Sequence, residues 1–284
     1  MPAIAERMID LRDPGLSVRV LEAGSGPPVV LLHGNPDNAD EWRPVMERLA
    51  GRYRCVAMDF PGYGRSPDLP VAFSYSLADQ ARFLDAVLRE TNISGRIVLV
   101  IHDIGGMVGT AWAAENLDRL QGIVVTNTVA FEDFRWFGIA RTWGDSSLRG
   151  KLRARLGMFA IGLSGGKLFK RIFSKQCPQL DDDKLDRFVQ SFALNRSAKR
   201  ATLRQFRQIM RPGFFDGFDA MWQRIAAKVP CSVVWGDNDS FISVEYARRF
   251  PTDRIKILPD VGHWVALIAP DAVASAVDEL GSTK

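Results

Sequence analysis

Short, continuous apolar runs recur along this sequence, and amphipathic segments with helical spacing lie between them. Continuous Val, Ile and Leu runs are typical of strands buried on both faces, as in a parallel sheet covered by helices. The pattern therefore predicts a mostly parallel, doubly wound α/β sheet. The predicted strands are VRVLEA (18–23), PVVLLHG (28–34), RCVAMDF (54–60), RIVLVIH (96–102), GIVVTNT (122–128), CSVVWG (231–236) and RIKILP (254–259).

The clearest helical pattern is SLADQARFLDAVLRE, residues 76–90. Its apolar residues recur at three-to-four spacing, which places them on one face of a helix. Ser76 precedes the first apolar residue and is a suitable N-cap. We therefore predict a helix that begins after Ser76.

The strand pattern stops near Ala130 and resumes at Val229, which leaves a long helical insertion. Residues 130–215 contain 11 of the chain's 17 phenylalanines and two tryptophans, Trp136 and Trp143, but no tyrosine and no histidine. An aromatic helical insertion predicts a cap domain over a buried pocket. We therefore expect core residues 1–129 and 216–284, with a cap at 130–215.

The predicted cap is strongly basic, with 18 Lys/Arg against 7 Asp/Glu, although the whole chain has a net charge of only +4. Such a segment can attract an anionic substrate, an acidic carrier protein or a membrane surface. Solvated outer helix faces are the simpler interpretation. No motif indicates nucleic-acid binding.

The predicted localisation depends on the targeting and membrane-span patterns that the sequence lacks. The N-terminal residues have no basic-then-apolar run, and no apolar stretch reaches the length of a membrane span. We expect a cytoplasmic protein without stable membrane insertion.

Cys55, Cys177 and Cys231 are odd in number and widely spaced, which predicts reduced packing residues rather than disulfides or metal ligands.

Asp103 stands where the apolar run of IVLVIHDIGG (97–106) meets a Gly-rich helical segment. A carboxylate is already negatively charged, so it can attack an alkyl carbon without first losing a proton to a base. The alternative is that Asp103 simply caps the helix beginning at Ile104. This motif alone leaves both interpretations open.

Three histidines, His33, His102 and His263, all follow predicted strands. For His33 and His102 we predict structural roles, with their rings hydrogen-bonded to nearby backbone. His263 follows Asp103 by about 160 residues and lies before the last helix, which suits a general base.

An acid that orients the imidazole is expected in WGDND, residues 235–239. We assign Asp239 to this role. Asp237 is the competing choice, but it comes directly after the turn glycine and is better suited to organising the loop.

Five motifs resemble those of a known protein family. They are HGNP (33–36), DFPGYGRS (59–66), VIHDIGG (100–106), WGDND (235–239) and GHW (262–264). In this order and approximate spacing they resemble the Asp-nucleophile branch of the α/β-hydrolase superfamily, which includes haloalkane dehalogenases and epoxide hydrolases. The resemblance covers nearly the whole chain and is closest to the dehalogenases. It implies an α/β-hydrolase fold with a helical cap inserted after the sixth strand.

The resemblance also implies a two-step reaction with a catalytic triad of Asp103, Asp239 and His263. Asp103 would displace a leaving group from carbon, and a water activated by His263 would hydrolyse the resulting ester. The N–H groups of Asn35 and Ile104 match the positions of the family's oxyanion hole. No metal or organic cofactor is implied.

The leaving group is where the family pattern is incomplete. Haloalkane dehalogenases typically hold the halide with the asparagine of HGNP or a cap tryptophan, and with a tryptophan directly after the nucleophile. Asn35 fits, and Trp136 or Trp143 can supply a cap donor, but Ile104 has no side-chain donor. Epoxide hydrolases use cap tyrosines or a histidine, whereas Phe206 stands at the late tyrosine position.

We therefore predict haloalkane dehalogenase-like hydrolysis of a small hydrophobic molecule. Because the cap is basic, this molecule can also be anionic. Epoxide hydrolysis and lactone or ester hydrolysis by the same triad are alternatives. A non-catalytic ligand-binding protein on a hydrolase scaffold is a further one, because a fold does not by itself establish a function.

Overall fold

The computed structural model describes residues 3–66 and 73–281. In these residues eight strands form one sheet, in the order β1-β2-β4-β3-β5-β6-β7-β8. The strands are Ala5–Leu11 (β1), Leu16–Ala23 (β2), Pro28–Leu32 (β3), Arg54–Met58 (β4), Ile97–Asp103 (β5), Leu120–Thr128 (β6), Cys231–Gly236 (β7) and Ile255–Leu258 (β8). β2 is antiparallel to β1 and β4, and the other neighbours are parallel. The predicted mostly parallel sheet is confirmed.

Strand β1 was not among the strands predicted from the apolar runs. Its first four residues are exposed, and only Ile9 and Leu11 are buried. An edge strand needs no continuous apolar run, because one side of its backbone has no partner strand and its faces are partly solvated. Its pattern is therefore indistinguishable from that of a polar terminus.

Helices cover both faces of the sheet. In the described residues they are Arg43–Leu49 (α1), Leu77–Glu90 (α2), Ile104–Glu115 (α3), Gly138–Gly144 (α4), Leu148–Leu163 (α5), Lys167–Gln176 (α6), Asp182–Ala193 (α7), Arg196–Ile209 (α8), Phe218–Ala226 (α9), Val265–Ile268 (α10) and Pro270–Gly281 (α11). None of these helices combines the length and apolarity needed to cross a membrane.

Strand β5 shows why continuous apolar runs suit this sheet. All seven of its residues are buried. Leu99 and Ile101 belong to the core with α2 and α3, whereas Val98 and Val100 belong to the core with α1 and α11. Successive side chains thus enter opposite layers, and both layers are apolar.

Helix α2 confirms the helix predicted at 76–90. The Ser76 hydroxyl accepts a hydrogen bond from the backbone N–H of Asp79 at 3.1 Å, which satisfies one of the free donors of the first turn. Phe83, Leu84 and Val87 form part of its buried face.

Helices α4 to α9 lie between β6 and β7. Aromatic side chains pack among them, and the Phe169 ring centroid lies 5.0 Å from that of Phe173 and 5.2 Å from that of Phe192. Helix α9 instead packs against α3 of the core. The domain limits 1–129, 130–215 and 216–284 stay a prediction.

The three cysteines are free and buried, which confirms the packing role predicted for them. Burial raises the pKa of Cys55 and of Cys231 to about 12. Both thiols are therefore protonated at neutral pH and poor nucleophiles.

Substitution of Gly105, in the first turn of α3, tests how tightly the sheet and this helix pack. An added Cβ would lie 2.5 Å from the carbonyl oxygen of Leu32 and 2.6 Å from that of His33. We expect Gly105→Ala to lower the free energy of unfolding by about 1–3 kcal/mol, because backbone atoms cannot move aside cheaply. Chemical denaturation measures this change.

Gly157→Ala in α5 is the matched control, because nothing lies within 4 Å of its added Cβ. This change should raise stability by about 0.5–1 kcal/mol through helix propensity. Equal effects of the two substitutions would contradict the tight packing at α3.

Candidate active site

Asp103 occupies a sharp turn between β5 and α3. Its backbone angles are φ 47° and ψ −121°, in a region that non-glycine residues seldom adopt. Its side chain makes no capping hydrogen bond to α3. The alternative that Asp103 caps this helix is therefore wrong.

Three glycines make room for this turn. A Cβ on Gly34 would lie 2.5 Å from the Asp103 Cβ, and one on Gly106 would lie 1.7 Å from Thr128 Oγ1. Gly105 is equally restricted, as described above. Thr128 Oγ1 also donates to the carbonyl oxygen of Asp103 at 2.5 Å. Small neighbours and this hydrogen bond hold the strained residue in place.

The Asp103 carboxylate projects into the site with its two oxygens in different surroundings. Oδ1 accepts a hydrogen bond from the backbone N–H of Asn35 at 2.7 Å. Oδ2 lies 3.7 Å from His263 Nε2, which is too long for a hydrogen bond. The carboxylate is thus anchored through one oxygen, while the other faces the imidazole.

His263 lies on the loop between β8 and α10 and is 2% exposed. Its Nδ1 lies 2.7 Å from Asp239 Oδ2, so Nδ1 carries a proton and donates to that carboxylate. Its Nε2 is then the nitrogen that faces Asp103. In the neutral ring this nitrogen has a lone pair that can accept a proton.

Asp239 follows β7 and has a fully buried side chain. Its Oδ1 accepts from the N–H groups of Phe241 at 2.7 Å and Ile242 at 3.0 Å. Burial on its own would raise the pKa of Asp239, but the charge of His263 and the hydrogen bonds outweigh it and lower that pKa. Asp237 instead accepts from Asp260 N at 2.9 Å in the exposed loop.

Asn127 at the end of β6 is a supporting residue that the sequence analysis missed. Its Nδ2 donates to Asp239 Oδ2 at 2.8 Å, and its Oδ1 accepts from the Gly236 N–H at 2.9 Å. Its φ of 22° marks a turn out of the strand. The asparagine in GIVVTNT was the available signal, since polar residues seldom end a buried strand without a role.

The predicted oxyanion hole consists of the backbone N–H groups of Asn35 and Ile104. Asn35 directs its backbone N–H at Oδ1. Ile104 is the first residue of α3, where backbone N–H groups have no acceptor within the helix. Its side chain is fully buried in the core and supplies no donor.

The Asn35 side chain is engaged in a polar network between core and cap. Its Nδ2 donates to Tyr63 Oη at 2.8 Å and to Thr202 Oγ1 at 2.7 Å. Tyr63 Oη in turn donates to Gln205 Oε1 at 2.6 Å. Both hydrogens of the Asn35 amide therefore have acceptors. Sequence reasoning missed Tyr63, Thr202 and Gln205 because only the tertiary fold joins them.

A narrow cavity joins the predicted site residues. It is lined by Asn35, Asp103 and His263 from the core, by Trp136, Trp143 and Phe206, and by further aromatic and aliphatic groups: Phe137, Ile139, Phe169, Ile172, Phe173, Phe241 and Trp264. Six of the eight predicted residues thus share one cavity. Asp239 lies behind His263, and Ile104 lies in the core behind Asp103.

The cap contacts the His263 loop directly. Gln176 at the end of α6 accepts hydrogen bonds through Oε1 from the N–H groups of His263 at 3.4 Å and Ser240 at 3.2 Å. A Cβ on Gly262 would lie 2.0 Å from the Gln176 carbonyl oxygen. The position of the loop that carries His263 therefore depends on the end of α6.

His33 and His102 have the backbone contacts predicted for them. His33 Nδ1 lies 2.7 Å from the Gly34 carbonyl oxygen, and its Nε2 accepts from Phe60 N at 2.8 Å. His102 Nε2 lies 3.1 Å from the His263 carbonyl oxygen, which can only accept. These contacts confirm structural roles for both rings.

Two buried acids, Asp37 and Glu41, lie near Asp103. Asp37, Glu41 and His102 each offer a metal-ligating atom within 4.8 Å of the others. Burial lowers the pKa of His102 and raises the pKa of Glu41 to about 8. His102 Nδ1 and Glu41 Oε1 lie 2.7 Å apart, but the geometry between them is not that of a hydrogen bond. Asp37 accepts from Trp264 Nε1. Asp37 Oδ1, Glu41 Oε1 and His102 Nδ1 are buried and have no hydrogen-bond partner within the described residues.

A family model described as alpha/beta hydrolase fold matches residues 27–270 of the chain. The cis-3-alkyl-4-alkyloxetan-2-one decarboxylase of Xanthomonas campestris is 38% identical over 133 residues, and the match spans 44% of either chain. Haloalkane dehalogenase 2 of Mycobacterium bovis is 26% identical over 276 residues, 92% of this chain and 90% of the relative. The structure of epoxide hydrolase CorEH superposes with a TM-score of 0.77 over 98% of both chains at 17% identity, a likeness of fold.

The raised pKa of Glu41 predicts how stability changes with pH. The folded protein keeps a proton on Glu41 up to about pH 8, whereas the unfolded chain releases it above about 4.5. This group therefore lowers stability as pH rises between these values. We expect Glu41→Gln, which stays neutral, to become more stable relative to the parent across that window.

Chemical denaturation at several pH values measures this difference. The control is Glu115→Gln at an exposed position on α3. The free energy of unfolding of this variant should change with pH as that of the parent does. If the free energy of unfolding of Glu41→Gln also changes with pH as that of the parent does, Glu41 does not hold a proton in the folded state.

Proposed function

This chain belongs to the alpha/beta hydrolase fold family, and we propose that it hydrolyses carbon–halogen bonds of hydrophobic alkyl halides through an ester on Asp103. The protein is a hydrolase of this fold, with relatives named haloalkane dehalogenase. The observation that carries the proposal is a carboxylate at the strained turn, with its Oδ2 3.7 Å from His263 Nε2. A carboxylate at this position suits displacement at an alkyl carbon.

In the first step, Asp103 Oδ2 attacks the carbon that bears the halogen. The Asn35 N–H holds Oδ1, which leaves Oδ2 as the attacking oxygen. The carbon–halogen bond breaks, and the halide leaves with the bonding electron pair. The aromatic cavity lining keeps competing water from the carbon.

In the second step, His263 Nε2 removes a proton from a water molecule that attacks the Asp103 Cγ. Negative charge then develops on Oδ1. The Asn35 N–H, which already donates to Oδ1, stabilises this charge, and we assign the second donor to the N–H of Ile104 at the start of α3. Asp239, held ionised by its hydrogen bonds, stabilises the imidazolium. As the intermediate collapses, the Cγ–Oδ2 bond breaks, and the alcohol departs with the original Oδ2 and the proton that His263 returns.

The leaving halide needs donors, and here the cavity offers few. The Asn35 amide already donates to Tyr63 and Thr202, and Ile104 has no donor in its side chain. Trp136 and Trp143 line the cavity, and their indole N–H groups are donors of the right kind. We assign halide binding to these two residues.

A β-lactone is the second candidate substrate, and the occupied Asn35 amide favours it. Attack of Asp103 on the saturated ring carbon that is bonded to the ring oxygen breaks that carbon–oxygen bond and frees a carboxylate. This carboxylate stays attached and is stabilised by resonance, so it depends less on a dedicated donor. A relative is named for an alkyloxetan-2-one, a β-lactone.

An epoxide fits the cavity less well, because its ring oxygen needs an acid as it opens. Phe206 lines the cavity at the position where a tyrosine would serve, and within the described residues no tyrosine lines it. The Tyr63 hydroxyl donates to Gln205 instead. Epoxide hydrolysis is therefore the weaker alternative.

The covalent step predicts where solvent oxygen appears. In a single turnover in ¹⁸O-water, the label should enter the Asp103 carboxylate, and the product alcohol should stay unlabelled. Mass spectrometry of the peptide that contains Asp103 measures this incorporation. His263→Gln should accumulate the ester as a mass increase, and adding Asp103→Asn to that variant should abolish it. Product labelled in the first turnover would contradict the ester.

The leaving group can be tested through Thr202. Thr202→Val keeps the shape of the side chain and frees one N–H of the Asn35 amide. With bromoalkanes as substrates, we expect kcat/KM to rise about three- to tenfold, the value of one hydrogen bond. With β-lactones we expect little change, because their leaving group needs no such donor.

The control is Thr110→Val in α3, where the buried hydroxyl has no partner within the described residues. It should leave both reactions unchanged. β-Lactone turnover without halide release from bromoalkanes would replace the first candidate substrate with the second.

A further inference from the structure

Helix α5 of the cap exposes a row of five large apolar side chains. Their exposed fractions lie between 58% and 86%. The spacing of three and four residues places all five on one face of the helix. The row consists of Leu148, Leu152, Leu156, Phe159 and Leu163. A contiguous apolar row of this kind marks a contact surface rather than ordinary solvent exposure.

The row is not needed for the core of the cap. Ala154, Met158 and Ile161 form the buried face of α5 and pack inward. With about 100° of rotation per residue, this buried face lies opposite the exposed row. The helix is therefore apolar on two faces, and only one of them is covered by the protein.

Cations border the exposed row on both sides. Helical geometry places Arg149 and Arg153 along one edge of the row and Lys151 and Arg155 along the other. Residues 146–180 contain eight Lys/Arg and no Asp/Glu. An apolar row between two cationic edges matches the pattern of a helix that lies flat in a lipid interface.

The apolar surface continues beyond α5. Leu194 is 59% exposed and shares a groove with Phe159 and Leu163. Arg155 and Arg196 line the same groove. Apolar and cationic groups thus alternate over a surface broader than one helix.

We propose that α5 is a peripheral docking element that lies on an anionic lipid surface. The apolar row enters the boundary between headgroups and acyl chains, and the four cations contact lipid phosphates. The helix has 16 residues and is therefore about 24 Å long. A second copy of this chain fits the surface poorly, because two α5 helices would bring eight cations together and α5 itself contains no acid.

The test is flotation of the full-length protein with vesicles. We expect binding to vesicles of phosphatidylcholine mixed with phosphatidylserine and much weaker binding to phosphatidylcholine alone. High salt should reduce the binding, because it screens the attraction between the cations and the lipid headgroups.

Two variants separate the apolar and the cationic contributions. Leu152→Gln/Leu156→Gln should weaken binding to the anionic vesicles at least about tenfold, because it removes buried apolar area. Arg149→Gln/Arg153→Gln should weaken it roughly 30-fold. Arg149→Lys/Arg153→Lys, which keeps both charges, should bind as the parent does. Met8→Gln on β1 controls for loss of an exposed apolar side chain elsewhere.

Thermal unfolding should be nearly the same for all of these variants, since the replaced side chains are exposed. The proposal is overturned if the anionic vesicles are not bound, or if they are bound equally by the parent and by Leu152→Gln/Leu156→Gln. It is also overturned if sedimentation shows a dimer that the leucine variant abolishes while vesicles stay unbound. In that case the row is an interface between copies.

Discussion

The close approach of β3, β5 and α3 around Asp103 is the constraint on which the rest of the site depends. Gly34 and Gly106 leave no room for a Cβ, and the positive φ of Asp103 lifts its carboxylate above the ends of the strands. Such strain persists only where the surroundings hold it, and here the core on both faces of β5 does so. The orientation of Asp103 is thus fixed by close packing of the surrounding backbone.

Electrostatics then divides the acids of the site into two kinds. Asp239 accepts hydrogen bonds from His263, Asn127 and two backbone N–H groups, and these keep its carboxylate charged although it is buried. Glu41 lacks such a set and has a pKa raised by burial to about 8. It is therefore neutral at pH 7 and adds no further negative charge behind the nucleophile.

Helices between β6 and β7 contact both Asn35 and the loop that carries His263. Thr202 in α8 takes a hydrogen of the Asn35 amide, and Gln176 in α6 binds the loop that carries His263. Motif comparison assigns Asn35 to halide binding, yet the amide has two acceptors in the folded protein. The motif therefore does not by itself show which acceptors the Asn35 amide has in the folded protein.

The sheet, the helix after Ser76 and the chain order of Asp103, Asp239 and His263 could all be predicted from the amino-acid sequence. Periodicity and turn residues are local properties, so they can be read without a structure. The sequence did not reveal the edge strand β1, whose exposed residues resemble a polar terminus. The hydrogen bond from Asn127 to Asp239 is seen only in the folded structure. The same is true of the network that joins Asn35 with Tyr63, Thr202 and Gln205. Those contacts join residues distant in sequence, and no local pattern records which polar groups folding will bring together.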